Sequence, residues 1–195
     1  MSDMKHPWKV AITGGIGSGK SYVCNLLREE GIEVYDCDDA AKRLMATDAE
    51  VIKRLSETIG CDAYVDGVLN KAAVAKFLLK SEENKILVNS IVHPAVARDF
   101  LSSGKYWLES AILFDCGFRR YVDKVVCVTA PLETRIRRVM RRDGIDRKRT
   151  LEWIGKQMDQ DKVREMADFE IVNDGRRSLR RQIREILKDL QNNIS

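Results

Sequence analysis

The stretch Gly14-Gly15-Ile16-Gly17-Ser18-Gly19-Lys20-Ser21 decides the fold, because it joins a short apolar segment (10–13) to a segment with helical pattern (22–30). A glycine, four residues and then Gly-Lys-Ser form the phosphate-loop pattern, and strand, loop and helix are the context that this pattern requires. Glycines let successive backbone N–H groups point into one concavity at the positive end of a helix dipole. The alternative interpretation is a tight glycine turn that contains a lysine by chance.

Each part of this loop has an expected task in binding a nucleoside triphosphate. The Lys20 ammonium is expected to reach the β- and γ-phosphates, and the Ser21 hydroxyl is expected to ligate Mg²⁺. The remaining nucleotide-binding residues are expected to be Gly15, Ile16, Gly17, Ser18, Gly19 and Tyr22. The sequence therefore predicts a protein that binds a nucleoside triphosphate together with Mg²⁺.

The composition is that of an ordinary globular protein. Of 195 residues, 44% are hydrophobic and 33% are charged, which is enough apolar material for a full core. No run approaches the roughly 18 apolar residues of a membrane span, and residues 1–7 lack the apolar segment of a secretion signal. We therefore expect a cytoplasmic protein with no membrane partner, either a monomer or a weak homo-oligomer.

Cysteine usage agrees with that location. The chain has five cysteines, an odd number, without Cys-x-x-Cys spacing and with only two histidines. This pattern favours free thiols in a reducing compartment over a zinc site or a disulfide framework.

The positive charge is unevenly distributed, although the formal net charge is only +4. Residues 135–149 contain eight basic side chains against two acidic ones. We interpret this cluster as phosphate-binding; a solvated face and a nucleic-acid patch are the alternatives. A second basic set lies between Arg176 and Lys188, and we interpret it as solvated surface. We expect no nucleic-acid partner.

Apolar runs that alternate with helical patterns predict an α/β protein with a parallel sheet. The five runs cover residues 8–13, 33–36, 106–113, 124–129 and 169–172. With the phosphate loop, they predict the P-loop NTPase fold: a five-stranded parallel sheet flanked by helices.

Two long intervals without a strand pattern interrupt this alternation. The interval 37–104 has helical patterns at 40–45, 49–59, 71–79 and 82–91, with a further helix expected to start at Pro94. The interval 132–160 is basic and helical, with a break at Asp143-Gly144. We expect a core of residues 1–36, 105–131 and 161–195, a helical insertion at 37–104 and a helical lid at 132–160.

Such an arrangement suits a small-molecule kinase. A phosphoryl-transfer enzyme must close over its two substrates and exclude water, or it hydrolyses its triphosphate. An Asn-Lys-x-Asp motif for guanine is missing, which argues against a switch GTPase.

Acidic residues follow two of the predicted strands. Asp36 and Asp38 stand at the end of the second, where parallel sheets bind their ligands. One of them could accept the proton of an attacking hydroxyl or hold Mg²⁺ through water. The alternative is capping of a helix near Ala40, which we expect of Asp38 or Asp39. The spacing leaves open which acid is the base. Asp115 follows the predicted strand 110–114 and either orients the acceptor or is a turn residue.

Further segments match the motifs of one family. They are Thr13–Ser21, Asp36-Cys37-Asp38 with Ala41-Lys42, Leu69-Asn70-Lys71, Val88–Pro94, Ala111–Asp115 with Gly117, Pro131-Leu132-Glu133 with Arg138, Arg142 and Asp143, Gln157-Met158, Lys162, and Ala167–Gly175. By these motifs the chain resembles the dephospho-CoA kinase family over nearly its whole length.

The resemblance implies a nucleoside-monophosphate-kinase-like fold that transfers the γ-phosphate of ATP to the 3′-hydroxyl of dephospho-CoA. Asp36 matches the proposed general base, and it acts with Lys20 and Arg142 in the expected catalytic set. Arg138 and Arg142 match lid positions at the ATP phosphates, and Asn173 is expected near the adenine through its backbone groups. The remaining substrate-binding residues would be Asp38, Lys42 and His93, in a CoA-binding insertion at 37–104, and Asp115 outside that insertion.

Three other functions stay open at this point. A kinase of the same fold could act on a nucleoside monophosphate or another small hydroxyl acceptor. The protein could instead be a nucleotide-dependent nucleic-acid-binding module, or a regulatory ATP-binding protein without transfer activity. For His93, ahead of Pro94, anchoring the start of a helix is the alternative to substrate contact.

Overall fold

The computed structural model describes residues 8–192. Residues 1–7, in which we looked for a secretion signal, lie outside the described residues, as do 193–195. Between residues 8 and 192, no helix is both long and apolar enough to cross a membrane.

Strands and helices alternate along most of the described chain. In order they are β1 (Val10–Thr13), α1 (Lys20–Glu29), β2 (Val34–Asp36), α2 (Cys37–Thr47), α3 (Ala49–Ile59), β3 (Tyr64–Val65), β4 (Val68–Leu69), α4 (Lys71–Lys80), α5 (Glu82–Ser102), β5 (Trp107–Glu109), β6 (Lys124–Thr129), α6 (Leu132–Asp143), α7 (Arg147–Gly155), α8 (Gln160–Glu165), β7 (Phe169–Val172) and α9 (Leu179–Asn192). Short 3₁₀ turns occur at 61–63 and 118–121.

The predicted five-stranded parallel sheet is confirmed. Its strand order is β2-β5-β1-β6-β7, so the strand that leads into the phosphate loop is central. Within the parallel ladders Ile12 is level with Glu109 of β5 and with Val126 of β6. All four residues of β1 are buried, as expected for a parallel strand covered on both faces.

The core of the sheet is apolar and is covered by α1 and α9. Val23 and Leu27 of α1 and Ile183 of α9 are buried in the same cluster as Ile12 and Val126. Helix α9 carries its buried residues at spacings of three and four, which is the pattern of a helix with one apolar face. This packing holds the start of α1 at the end of β1.

The described chain forms two compact units. One combines the residues up to Tyr35 with those from Lys105 onward, and the other is Asp36–Gly104. The finer division into core, insertion and lid, with a lid at 132–160, stays a prediction.

The unit Asp36–Gly104 is mostly helical, with two departures from the expected pattern. Helix α5 runs unbroken from Glu82 to Ser102 with Pro94 inside it, so the prediction of a helix start at Pro94 was wrong. Buried residues lie on both sides of that proline, and their packing outweighs the lost backbone hydrogen bond.

The second departure is a short hairpin, in an interval where no strand was expected. Strands β3 and β4 pair antiparallel around Asp66 and Gly67, which both have positive φ angles. An Asp-Gly pair between β-branched residues is the usual sequence signal for such a turn, and Val65 and Val68 flank it here.

The strand predicted at 106–113 ends much earlier. Strand β5 stops at Glu109, and residues 111–117 form turns. Asp115 therefore does not directly follow a strand, contrary to the prediction. Glu109 stands at the strand end instead.

Candidate active site

The phosphate loop has a backbone that only glycine allows at Gly14 and Gly19, among other positions. Gly14 has a φ of 142°, and a Cβ there would lie 2.2 Å from the Val128 carbonyl oxygen. Gly19 has a φ of 99°, and a Cβ there would lie 2.2 Å from the Asn173 side-chain nitrogen. Glycine is required at both positions for two reasons: φ is positive, and the backbone lies too close to a neighbouring group for a Cβ atom to fit.

The first turn of α1 is arranged like an anion site. Its N-cap residue, Gly19, provides no side chain to bond the first N–H groups of the helix. Such N–H groups carry the positive end of the helix dipole and favour phosphate. Lys20 lies over the loop, with its Nζ 2.8 Å from the Gly14 carbonyl oxygen, and Tyr22 is largely exposed beside it.

Ser21 is paired with a carboxylate that sequence reasoning missed. Its hydroxyl donates to Glu109 Oε1 at 2.9 Å, and Glu109 is only 8% exposed. The other carboxylate oxygen, Oε2, is buried and has no hydrogen-bond partner among residues 8–192. A hydroxyl beside a carboxylate is a donor set that suits Mg²⁺.

A signal for Glu109 was present in the sequence. Glu109 is the acidic residue at the end of a short apolar run. In P-loop proteins the loop serine and an acidic residue on a neighbouring strand hold Mg²⁺ together. This signal was missed because the apolar pattern continues to residue 113, so that the strand was expected to end at residue 114 and not at Glu109.

Arg138 and Asn173 hold the outer side of the loop. The Arg138 guanidinium donates to the carbonyls of Gly17 and Ser18 at 3.3 and 3.1 Å and to the Asn173 side-chain oxygen at 3.0 Å. Asn173 is buried and donates from its side chain to the Ser18 carbonyl at 2.8 Å. These two predicted nucleotide-binding residues are therefore brought to the loop.

The backbone of Asn173 is already engaged. Its N–H donates to the Thr129 carbonyl, and its own carbonyl accepts from Arg138 at 3.2 Å. The Asn173 N–H closes the end of the β6–β7 ladder, and the expected position of Asn173 near the adenine stays a prediction.

Ile16, in the middle of the loop, is held from two sides. Its N–H donates to Gln157 Oε1 at 2.7 Å, and its carbonyl accepts from Arg135 Nε at 2.9 Å. From the sequence, Arg135 is only one member of a basic cluster, and Gln157 is only part of a family motif.

Other members of the basic cluster have partners outside the loop. Arg142 donates to both carboxylate oxygens of Asp143, at 2.9 and 2.8 Å, and this pairing raises the pKa of Arg142 and lowers that of Asp143. Arg147 forms a two-pronged pair with Glu133. A contact of Arg142 with ATP phosphates stays a prediction.

The C-terminal basic set shows the features expected of a solvated surface. Arg180 pairs with Glu29 and Glu30, and Arg181 with Glu185. Such exposed pairs contribute about 0–1 kcal/mol each.

Asp115 lines a small cavity beside the loop. The cavity is bounded by Thr13–Gly15, Phe114, Asp115, Gln157 and Met158. Asp115 thus lies close to the start of the phosphate loop although it does not end a strand.

Asp36 ends β2 and caps α2. Its carboxylate Oδ1 accepts from the N–H of Asp39 at 3.0 Å. The cap is therefore Asp36, and Asp38 and Asp39 lie inside the first turn of the helix. This corrects the interpretation that Asp38 or Asp39 caps a helix near Ala40. Capping fixes the orientation of one carboxylate oxygen, which is compatible with a second role for the group.

Lys42 and His93 both belong to the unit Asp36–Gly104. Lys42 forms an exposed pair with Asp39 at 2.9 Å, which raises its pKa. His93 is half-buried in the interior of α5, and burial lowers its pKa, so it is neutral at pH 7. It does not anchor a helix start, because α5 begins at Glu82.

The fold and the loop together define a class of protein: a P-loop protein of the kinase type. The family model described as dephospho-CoA kinase matches residues 8–178. A dephospho-CoA kinase of Bacteroides fragilis is 41% identical over 193 residues, covering 95% of this chain and 94% of the relative. The chain belongs to the dephospho-CoA kinase family, and the members of this family are phosphotransferases.

Solved structures agree with the fold. A Thermus thermophilus crystal structure superposes with a TM-score of 0.77 at 33% identity, covering 95% of this chain and 97% of that chain. A dephospho-CoA kinase from Campylobacter jejuni superposes with a TM-score of 0.67 at 18% identity, over 95% and 98% of the two chains. At that identity the second likeness shows the fold alone.

Two cysteines beside the loop are buried thiols. Burial raises the pKa of Cys24, and the neighbouring Glu109 raises it further. Burial, with Glu170 nearby, raises the pKa of Cys127 to about 12. All five cysteines are free, and Cys61 is exposed.

We predict that these thiols differ sharply in reactivity. The thiolate is the reactive form, so a thiol whose pKa is raised to about 12 stays protonated and unreactive from pH 7 to 9. With a chromogenic disulfide reagent at pH 8, Cys61 is expected to react first, and Cys24 and Cys127 only after unfolding. Peptide mapping by mass spectrometry identifies the site, and Cys61→Ser should remove the fast phase. Fast labelling of Cys24 in the folded protein would contradict the prediction.

Proposed function

We propose that this protein transfers the γ-phosphate of ATP to the 3′-hydroxyl of dephospho-CoA. The observation that carries the proposal is the Ser21–Glu109 pair beside an open helix N-terminus, in a chain of the dephospho-CoA kinase family. The phosphate site by itself supports only the binding of a nucleotide, and the acceptor, dephospho-CoA, is inferred from the family.

In this proposal the loop residues Gly15 to Gly19 and the first turn of α1, including Tyr22, surround the ATP phosphates, which bind to backbone N–H groups. The N–H groups of Ile16 and Ser18 already donate to Gln157 and to the Gly15 carbonyl, so these two residues shape the site. Lys20 lies over the loop and neutralises charge on the β- and γ-phosphates. A bound Mg²⁺ would supply positive charge against the negative charge of the phosphates. Ser21 and Glu109 are the residues that would hold it.

Asp36 is proposed as the general base that accepts the proton of the 3′-hydroxyl. Support comes from its place at the carboxyl end of a strand of the parallel sheet, where such sheets bind ligands. Its capping bond holds the carboxylate in one orientation. Asp38, Lys42, His93 and Asp115 are proposed to bind the acceptor.

Arg138 and Arg142, the two arginines of the predicted lid, have different functions in this proposal. Arg138 binds loop carbonyls and keeps the loop in shape, so we assign it an indirect contribution to ATP binding. Arg142 has a side chain that is 61% exposed, and exchange of Asp143 for a phosphoryl group is the step we propose for it. An arginine at the transferring phosphoryl group contributes a factor of roughly 10³ or more in rate.

We also propose that the protein works in a reducing, cytoplasmic compartment. The free state of all five cysteines supports this location. A monomer or weak homo-oligomer stays a prediction.

The experiment that tests the function is ADP release from Mg·ATP with dephospho-CoA, AMP, CMP or no acceptor. We expect release that depends on dephospho-CoA and a product that carries a 3′-phosphate by mass spectrometry. Equal release with every acceptor would contradict the proposed substrate and leave the nucleotide site intact.

Asp36→Asn should lose transfer while keeping ATP binding. Asparagine still caps the helix but cannot accept the proton, and loss of a general base costs about 10²–10⁴ in rate. The measurements are kcat for dephospho-CoA phosphorylation and the Kd of ATP by calorimetry, with Asp38→Asn as the matched variant. Full kcat in Asp36→Asn would move the base elsewhere, with Asp38 tested first.

Glu109→Gln should raise the Mg²⁺ concentration required for half-maximal activity by about 10–100-fold. Glutamine can still accept from Ser21, so the change removes the charge and keeps the hydrogen bond. Glu170→Gln is a matched control, because Glu170 also accepts from a hydroxyl, that of Thr129 at 2.6 Å. An unchanged Mg²⁺ dependence in Glu109→Gln would exclude Glu109 from the metal site.

A further inference from the structure

The central peptide groups of the phosphate loop are held by two side chains from distant parts of the chain. The N–H of Ile16 donates to Gln157 at 2.7 Å, and the carbonyl of Ile16 accepts from Arg135 at 2.9 Å. Both backbone groups of one residue are thus fixed by side chains more than a hundred positions away.

The two side chains lie at the two ends of the basic helical segment. Arg135 is in the first turn of α6, which follows β6 directly. Gln157 lies in the connection between α7 and α8. The loop is therefore tied to the place where the chain leaves the sheet and to the place where it returns.

Arg135 differs from the other arginines of the basic cluster by its burial. It is only 5% exposed, and burial lowers its pKa below the ordinary arginine value. Burying a guanidinium costs free energy unless its N–H groups form hydrogen bonds. Its bond to Ile16 is one such use, and it places a desolvated positive charge beside the phosphate loop.

The loop glycines fit this guanidinium closely. A Cβ on Gly15 would lie 2.3 Å from Arg135 Nη2, and a Cβ on Gly17 would lie 2.6 Å from the Arg135 carbonyl oxygen. Glycine at these two positions lets the loop approach α6, a contact separate from any contact with phosphate. The first turn of α6 and the loop are packed as one piece.

We propose that Arg135 and Gln157 are positioning residues that hold the Ile16 backbone and thereby keep the phosphate loop in its anion-binding shape. The inference rests on the proposed function, because it concerns the ATP site of the same enzyme. Neither residue needs to touch the nucleotide. Each acts through the loop, by fixing the peptide planes that set where the neighbouring N–H groups point.

Substitution is therefore expected to weaken phosphate binding more than the chemical step. A loop that must be ordered by its ligand uses part of the binding free energy for ordering. Because ground state and transition state both need the ordered loop, KM for ATP should rise while kcat changes little.

The test uses Arg135→Met, Gln157→Leu and, as matched control, Arg137→Met. Arg137 lies on the same helix, is exposed and donates to Thr134 at 3.5 Å. Of the basic cluster, the proposed function assigns a role in phosphate binding only to Arg138 and Arg142, so substitution of Arg137 removes the same charge from a residue without an assigned task. Calorimetry gives Kd for ATP and for inorganic tripolyphosphate, which probes the loop without a base. Thermal unfolding gives Tm, and steady-state assays give KM and kcat.

We expect Arg135→Met to raise the Kd of both ligands about tenfold or more, and Gln157→Leu to raise both by about threefold or more. Arg137→Met should remain within about twofold of the unsubstituted protein. If Arg135→Met does not fold, Gln157→Leu carries the test by itself.

A lower Tm with unchanged Kd for tripolyphosphate would overturn the proposal, since it would show that the two residues only stabilise the fold. An equal loss in Arg137→Met would also overturn it, because the effect would then be general charge. Failure of the proposed function is distinguishable: the unsubstituted protein would bind ATP and tripolyphosphate but would release no ADP with dephospho-CoA.

Discussion

The structure depends on how the carbonyl groups of the phosphate loop are satisfied. From Gly14 to Gly19 each carbonyl oxygen accepts a hydrogen bond from within the same unit, and the donors are Lys20, the Ser18 N–H, Arg135, Arg138, Asn173 and the Val23 N–H. A peptide plane whose carbonyl is held on one side turns its N–H to the other. Phosphate binding by the loop is thus prepared by donors that need not contact phosphate.

This arrangement explains why a cluster of arginines lies beside a site that binds an anion. Arg135 and Arg138 neutralise the partial negative charges of loop carbonyls, which would otherwise repel a phosphate. Being largely desolvated, they also contribute a positive potential that water screens less than at the surface. Arg142 is bonded to its neighbour Asp143, and we proposed that it exchanges this partner for a phosphoryl group. One basic sequence cluster would then support both loop geometry and substrate charge.

Much of the fold was predictable because its signals are local and repetitive. The phosphate-loop pattern, the alternation of apolar runs with helices and the Asp143-Gly144 break all depend on near neighbours, and all appear in the structure. The errors arise where packing or pairing overrides a local rule. Pro94 reads as a helix start, yet buried residues before and after it keep α5 continuous. The end of β5 was misplaced because turns at 111–117 are as apolar as a strand.

The candidate site shows the same division between local and long-range information. The tasks expected of Lys20 and Ser21 follow from spacing alone, because the loop that contains them defines these tasks. Glu109, Arg135 and Gln157 act on the loop from separate elements, and their contacts exist only once the strands and α6 are in register. No periodic pattern in a sequence indicates a hydrogen-bond partner that lies about a hundred positions away. A backbone group can form a hydrogen bond with any side chain of suitable chemistry and reach. Long-range hydrogen bonds to the backbone are therefore the part of a site that sequence patterns predict least.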